Sequence, residues 1–376
     1  MVYAVVTGGG TSGHVLPALA ICELLADSGH DLADIRYVGT QRGVDKELMS
    51  QSGIASEFLP ISGLQRSWDL RSMGRNVVLP LRLAHSRILA RRLMRTWKPS
   101  VVISVGGYAS EPMSRAAIAS GVPLVCVSYD RIAGLATRRQ ARHAAVCAVA
   151  FEGSSLPRSV VTGAPVRRDL RTIDVAASRS EARAALGISL DAHVVVMMGG
   201  SLGSASLNSA VAELLAGLAG TSSVVYHICG RRFERDPMPH VPSGVQYIRV
   251  GYEENMTDVY SSLDLLVARA GASTVAEIAT VGVASILIPW PDAADNHQEL
   301  NARWLSDSSA SVLMDDSSCV DGRLVAEIVR LLGNSNELIS MSRTARMLGS
   351  LHRGQALVGV IEGAAREGAG HETMGS

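Results

Sequence analysis

The stretch Gly8-Gly9-Gly10-Thr11-Ser12-Gly13-His14 has the residue types to do chemistry. Glycines let backbone N–H groups converge, and N–H groups at a helix N-terminus attract anions, so this loop suits a phosphate. His14 at the positive end of a helix dipole favours the neutral imidazole, which accepts a proton. A second loop, Gly199-Gly200-Ser201-Leu202-Gly203, repeats the pattern Gly-Gly-Ser/Thr-x-Gly, and a third reads Gly106-Gly107-Tyr108. Asp130, in Ser128-Tyr129-Asp130-Arg131, is either a base or polar contact, or the cap of a helix over 132–142. Arg167, in Gly163-Ala164-Pro165-Val166-Arg167, either reaches a phosphate or makes an ordinary linker salt bridge. The densest polar signals lie in 268–301. There, Arg269-Ala270-Gly271-Ala272-Ser273-Thr274 opens a helix that carries Val275, Ala276 and Glu277. The Glu277 carboxylate either grips a ribose diol or stabilises the helix dipole. Asp295-Asn296-His297-Gln298-Glu299-Leu300-Asn301 offers the donors and acceptors that sugar hydroxyls need, while a capped helix start accounts for Asp295 equally well.

These loops need strands before them and helices behind them. Residues 3–6 are a β-branched apolar run, and 15–26 place an apolar face at helical spacing, with Pro17 in a first turn. Further strands are expected at 35–38, 57–61, 101–105, 123–127 and 160–165, then at 194–198, 224–228, 246–250, 264–268 and 285–288. A helix is expected over 206–218, a polar linker over 168–179, and one long helix over 337–366. Alternation of this kind implies an α/β protein with doubly wound parallel sheets, and two similar strand–loop–helix starts imply two such domains facing across a cleft.

The chain has 376 residues, enough for two ordinary domains. Its 35 basic and 35 acidic residues cancel, so no global charge draws it to nucleic acid. Five scattered cysteines read as reduced core residues, neither a disulfide frame nor a zinc site. The chain enters a strand at once, which suggests no signal peptide, and no apolar run approaches the ~20 residues of a membrane span. Arginines from Arg66 to Arg95, with Lys98, interleave with Trp68, Leu70, Met73, Leu79, Leu81 and Leu83. They form either a solvated helix with one core face or, over 68–83, a basic apolar surface that docks on anionic lipid. Gly8, Gly10 and Gly13 satisfy G-x-G-x-x-G, yet Gly39-Thr40-Gln41 follows the second strand where a dinucleotide fold places an acid. A nucleotide-sugar site therefore ranks above nicotinamide chemistry. The absence of Asp-x-Asp argues against a donor diphosphate held through a metal.

Taken together, Gly9-Gly10-Thr11-Ser12-Gly13-His14, Gly106-Gly107-Tyr108, Gly163-Ala164-Pro165-Val166-Arg167, Gly199-Gly200-Ser201, Arg269-Ala270-Gly271 through Glu277, and Asp295 through Asn301 resemble the MurG family of glycosyltransferase family 28 over nearly the whole chain. The resemblance implies a GT-B fold, with an acceptor- and membrane-facing domain over 1–165 and a UDP-GlcNAc-binding domain over 166–339. A C-terminal helix at about 340–366 would pack back on the first domain, before a loose tail over 367–376. It implies inverting transfer of N-acetylglucosamine from UDP-GlcNAc to lipid I, giving the β-1,4-linked lipid II, with no metal or other cofactor. The protein would work as a peripheral protein on the cytoplasmic face of the cell membrane, beside other wall-synthesis proteins.

By the same resemblance, Ser201 and Arg167 contact the diphosphate, Ala272 to Glu277 line the nucleotide, and Gln298, with His297 and Asn301, binds the sugar. Thr11, Ser12, Gly13 and His14 face the reacting centre and the acceptor's pyrophosphate. Separately, their loop-end positions put His14 first and Asp130 second as base. The chain departs from the family at Val127-Ser128-Tyr129-Asp130, where His-Glu-Gln-Asn is usual, at Ala164 for Asn, at Leu202 for Gln, and at Glu253 for an apolar residue. Two other readings are a related transferase with another lipid or small-molecule acceptor, and a non-catalytic UDP-sugar-binding scaffold.

Overall fold

The structure, a computed structural model, describes residues 2–62, 79–200 and 202–373. The chain forms two compact units, residues 1–168 with 354–376, and residues 169–353.

In the first unit, β1 (Ala4–Thr7), β2 (Ile35–Thr40), β3 (Ala55–Leu59), β4 (Val101–Ser104), β5 (Leu124–Ser128), β6 (Val146–Val149) and β7 (Ser159–Val161) lie in the order 3-2-1-4-5-6-7. All neighbours are parallel. In the second unit, β8 (His193–Met198), β9 (Ser223–Ile228), β10 (Val245–Val250), β11 (Leu265–Ala268), β12 (Ser285–Leu287) and β13 (Ser311–Leu313) repeat the scheme, again parallel throughout. Each sheet is thus a doubly wound, Rossmann-like sheet, as the sequence pattern implies. The order reverses between β1 and β4 and between β8 and β11, where such sheets open a crevice at the strands' carboxyl ends. Strands buried on both faces, such as Ala4-Val5-Val6 and Val194-Val195-Val196, are continuous apolar runs because helices cover both sides. The five cysteines are free and buried.

Several elements differ from expectation. β6 and β13 are additional strands; both are short and lie in alanine- or serine-rich sequence with little alternation. The expected linker over 168–179 is largely helical, as Arg168–Thr172 and Val175–Ala185. Within it Arg168 is exposed and pairs with Asp27, whereas Arg179 pairs with Asp264; just beyond its expected end, Arg183 is buried. Arg183 is 1 % exposed; it pairs with Asp264 and donates to the carbonyls of Ser262 and Ala192. The helix expected over 206–218 divides into Ala205–Ser209 and Val211–Gly217. The long helix expected over 337–366 breaks into Ser335–Leu348, a 3-10 segment Gly349–Arg353, and Ala356–Thr373. Gly349 passes so close to the backbone of Ala279 and Thr280 that a Cβ has no room. Only the last piece belongs to the first unit, where it lies on β4, β5 and β6 and buries Leu357, Val358 and Ile361. Ser28 Oγ donates to Gln355 Oε1 at 2.8 Å, and His30 Nε2 meets Glu362 Oε1 at 3.1 Å.

Candidate active site

In the first unit, candidate residues gather where β1 meets the helix Ser12–Asp27. The turn between them needs glycine. Gly10 has φ 93°, and a Cβ there would meet the Tyr108 ring; a Cβ on Gly8 would strike Val105. Thr11 is the extended N-cap residue, and its carbonyl accepts the N–H groups of His14 and Val15 at 3.0 and 3.1 Å. Ser12, Gly13 and His14 make the first turn. Gly106 and Gly107, with φ 86° and 74°, bring the third loop against the His14 ring, and a Cβ on Gly107 would lie 3.3 Å from His14 Nε2. Burial lowers the His14 pKa, while the charges of Asp130 and Asp45 oppose that shift. His14 is therefore a neutral imidazole with a carboxylate in its field. Its Nδ1 is 3.2 Å from Thr11 Oγ1.

Asp130 lies just past β5 and caps no helix. The next helix is Leu135–Ala141, and its N-cap is Gly134. Arg167 is the half-buried residue before Arg168–Thr172. Arg168, the next residue, pairs with Asp27.

In the second unit, candidate residues follow β8. Gly200 and Gly203 have φ 80° and 71°, and Ser204 caps the helix Ala205–Ser209. Ser201 lies outside the described residues. Leu202 is 75 % exposed. At the end of β11, the buried Arg269 braces this loop. Its guanidinium donates to Ser204 Oγ at 2.7 Å, Ser206 Oγ at 2.6 Å, and the carbonyls of Ile288 and Pro289 at 3.1 and 3.0 Å, and it pairs with Asp316 at 2.6 Å. With its donors so engaged, Arg269 holds the loop in place.

The helix Ala272–Val281 follows at once. Ala272, Val275 and Ala276 turn their side chains into the core, so they offer a ligand only backbone; Ser273, Thr274 and Glu277 are half-exposed. Glu277 is the sixth residue of the helix, beyond the first turn where a dipole effect acts, and its Oε2 accepts from Tyr260 Oη at 2.9 Å. The geometry thus favours a held carboxylate over a dipole partner. Asp295 and Asn296 have φ of 54° and 51° before the helix His297–Ser306, whose N-cap is Asn296, so Asp295 is not its cap. His297 Nδ1–H donates to Ala294 O at 2.6 Å, and Gln298 Oε1 accepts from Trp290 N at 2.9 Å, which turns the Gln298 NH2 away as a donor. Asn301 is fully buried, with Nδ2 3.4 Å from Ala270 O, so it ties its helix to the Arg269–Gly271 turn from below.

Both halves match known domains. Residues 4–149 match the glycosyltransferase family 28 N-terminal domain, and residues 194–353 the glycosyltransferase family 28 C-terminal domain. The chain belongs to glycosyltransferase family 28. Among curated relatives of this family, a Carboxydothermus hydrogenoformans protein is 35 % identical over 349 residues, covering 91 % of this chain and 92 % of its own. A Corynebacterium efficiens protein is 36 % identical over 342 residues, covering 91 % of each. Both are named UDP-N-acetylglucosamine--N-acetylmuramyl-(pentapeptide) pyrophosphoryl-undecaprenol N-acetylglucosamine transferase. The solved structure of Acinetobacter baumannii MurG superposes with a TM-score of 0.70 at 26 % identity, covering 96 % of this chain and 99 % of that one. A Neisseria meningitidis UDP-GlcNAc 2-epimerase, at 13 % identity and TM-score 0.62, covering 95 % of this chain and 98 % of its own, shares the fold.

Asp45 and the role of Arg269 escaped the sequence reading. Asp45 stands five residues beyond Thr40, in a polar run that looks like surface, yet it is fully buried. An acid does follow β2, but it is spent on the backbone of the glycine loop and not left for a ribose. For Arg269, the signal was its place at a strand end before a small-residue loop.

Proposed function

We propose that this chain transfers N-acetylglucosamine from UDP-N-acetylglucosamine to lipid I, the undecaprenyl-pyrophosphoryl-MurNAc-pentapeptide, forming lipid II through a β-1,4 bond with inversion. The observation that carries this reading is the kinship, at 35–36 % identity over nine-tenths of each chain, with transferases named for that donor and acceptor. The glycine loop with His14 in one unit and the loops around Arg269 in the other support it.

The acceptor's sugar hydroxyl attacks the anomeric carbon as the bond from that carbon to the UDP oxygen breaks. The hydroxyl proton goes to His14 Nε2, with Nδ1–H turned to Thr11 Oγ1 and Asp130 stabilising the imidazolium that forms. The departing diphosphate carries the electron pair. Arg167, Ser201 and the N–H groups opening Ala272–Val281 offset its charge without a metal. Glu277, with Ser273 and Thr274, holds the nucleotide, and Gln298 and His297 bind the sugar. Thr11, Ser12 and Gly13 receive the acceptor's pyrophosphate.

Membrane contact belongs to the helix Leu79–Trp97. Leu81 and Ile88 are 71 % and 61 % exposed, beside the exposed Arg91, Arg92 and Arg95, whereas Arg87 is tied to Glu111. Residues 63–78 of the basic stretch lie outside the described residues. No described helix is long and apolar enough to cross a membrane. An apolar and cationic face of this kind suits an anionic lipid surface on the cytoplasmic side.

The test is UDP release from UDP-N-acetylglucosamine, with and without a lipid I analogue, in the presence of a chelator. Release that depends on acceptor and survives chelation supports the reading. Donor binding without release overturns it and turns attention to another acceptor, through Val127–Asp130, or to a non-catalytic scaffold.

A further inference from the structure

The helix Ser12–Asp27 begins three residues earlier than its apolar pattern implies, and this puts Pro17 at its sixth position, inside the helix and not in its first turn. A proline has no N–H, so the carbonyl four residues before it loses its intrahelical donor. That carbonyl is Gly13 O. The bond is replaced from outside the helix, because Tyr129 Oη donates to Gly13 O at 2.6 Å. Tyr129 follows β5 directly and is 6 % exposed, and Pro17 is buried as well, so the repair is made inside the protein.

The two ends of this hydrogen bond carry the chemistry. His14 follows Gly13, and Asp130 follows Tyr129. The Asp130 charge acts on His14. A single phenol therefore joins the two backbone points from which the proposed base and its carboxylate neighbour project. We propose that Tyr129 is a positioning residue: by supplying the donor that Pro17 withholds, it fixes the first turn of Ser12–Asp27 and sets where His14 stands relative to Asp130. This inference rests on the reading of His14 as the base. It gives the altered segment Val127–Asp130 a function of its own, since position 129 carries a buried donor aimed at the acceptor loop.

Because the missing donor is a backbone N–H, the same hydrogen bond can be restored by a second route. Tyr129→Phe removes only the hydroxyl, and Pro17→Ala returns an N–H to Gly13 O. The experiment compares wild type, Tyr129→Phe, Pro17→Ala and the double variant by kcat and KM across pH, and by an NMR titration of the His14 imidazole without substrates. Tyr129→Phe is expected to lower kcat about tenfold to a hundredfold, leave the KM for UDP-N-acetylglucosamine unchanged, and shift the His14 titration. In the Pro17→Ala background the same change is expected to cost little. An unchanged kcat and His14 titration in Tyr129→Phe would overturn the proposal, as would a loss of equal size with and without Pro17. The NMR titration needs no turnover. A shift there, alongside full turnover in His14→Ala, would condemn the base assignment and leave the positioning intact.

Discussion

Asp45 Oδ2 accepts the Gly10 N–H at 2.8 Å, so an acid from beyond β2 fixes the glycine loop that follows β1. Its other oxygen accepts the Thr40 N–H at 2.9 Å and meets Tyr37 Oη at 3.0 Å, and the Tyr37 hydroxyl also reaches Gly8 O at 2.6 Å. A buried carboxylate is tolerated only with such partners. The Asp45→Ala change would leave two backbone donors without acceptors and open a hole beneath Gly9. A loss of about 3 kcal/mol in stability is expected, by analogy with other buried charge-assisted hydrogen bonds. Urea unfolding of the variant measures this. A loss below about 1 kcal/mol would mean that water replaces the carboxylate.

The pH dependence of turnover should report His14. Its folded pKa lies below the ordinary 6.5, so the acid limb of kcat/KM, which reports the free enzyme, is expected below that value. Asp130 raises that pKa, so Asp130→Asn should move the limb to still lower pH. Removing His14 should abolish the limb and cost about 10²- to 10⁴-fold in kcat, the usual worth of a positioned base. Unchanged turnover numbers in both His14→Ala and Asp130→Ala would reject the pair.

Arg269 should govern donor binding through the loop it holds. Truncating it to alanine would leave Asp316 with only the Ser206 hydroxyl and remove the guanidinium donors from Ser204 and Ser206. Breaking such a pair costs about 3–5 kcal/mol, with the lower end expected here because Asp316 is 30 % exposed. Arg269→Lys keeps the charge but not the fork, so it should fold and bind UDP more weakly. Calorimetry with UDP separates the two effects. Wild-type affinity in Arg269→Lys would show that charge alone suffices.

The parts of this protein that were legible in the sequence are those where one pattern points one way. The run Val194-Val195-Val196-Met197-Met198 can only be a doubly covered strand, and the glycines after it can only turn. What was not legible depended on partners distant in sequence. Arg179 looks like a solvated linker residue until Asp264, 85 positions on, is seen beside it. Asp45 looks like surface until the Gly10 N–H is placed above it. The start of Ser12–Asp27 was misread because polar Ser12, Gly13 and His14 break the apolar period, although they complete the helix turn. That error also hid the position of Pro17.

Acid should destabilise the second unit through two histidines that are neutral in the fold. His227, 4 % exposed on β9, sits between Tyr247 and Asn208, 2.9 Å from each. Asn208 Nδ2 donates to Cys229 O, so its Oδ1 faces the ring; His227 Nε2–H therefore donates to Asn208, and Nδ1 accepts from Tyr247 Oη. Burial first, then the Arg249 charge, lowers the His227 pKa to about 4. His352, 2 % exposed near Trp304, is lowered to about 4 by burial and by Arg353. Between pH 4 and 6.5 the unfolded chain binds protons that these rings refuse, so the stability they contribute is complete above 6.5 and is lost as pH falls towards 4. Each ring is worth about 3 kcal/mol over that window at about 1.4 kcal/mol per pH unit. Unfolding of His227→Gln between pH 7 and 4 should show about half the wild-type slope from this pair. An unaltered slope would mean that His227 is protonated in the fold and that Tyr247 has turned its hydroxyl to accept.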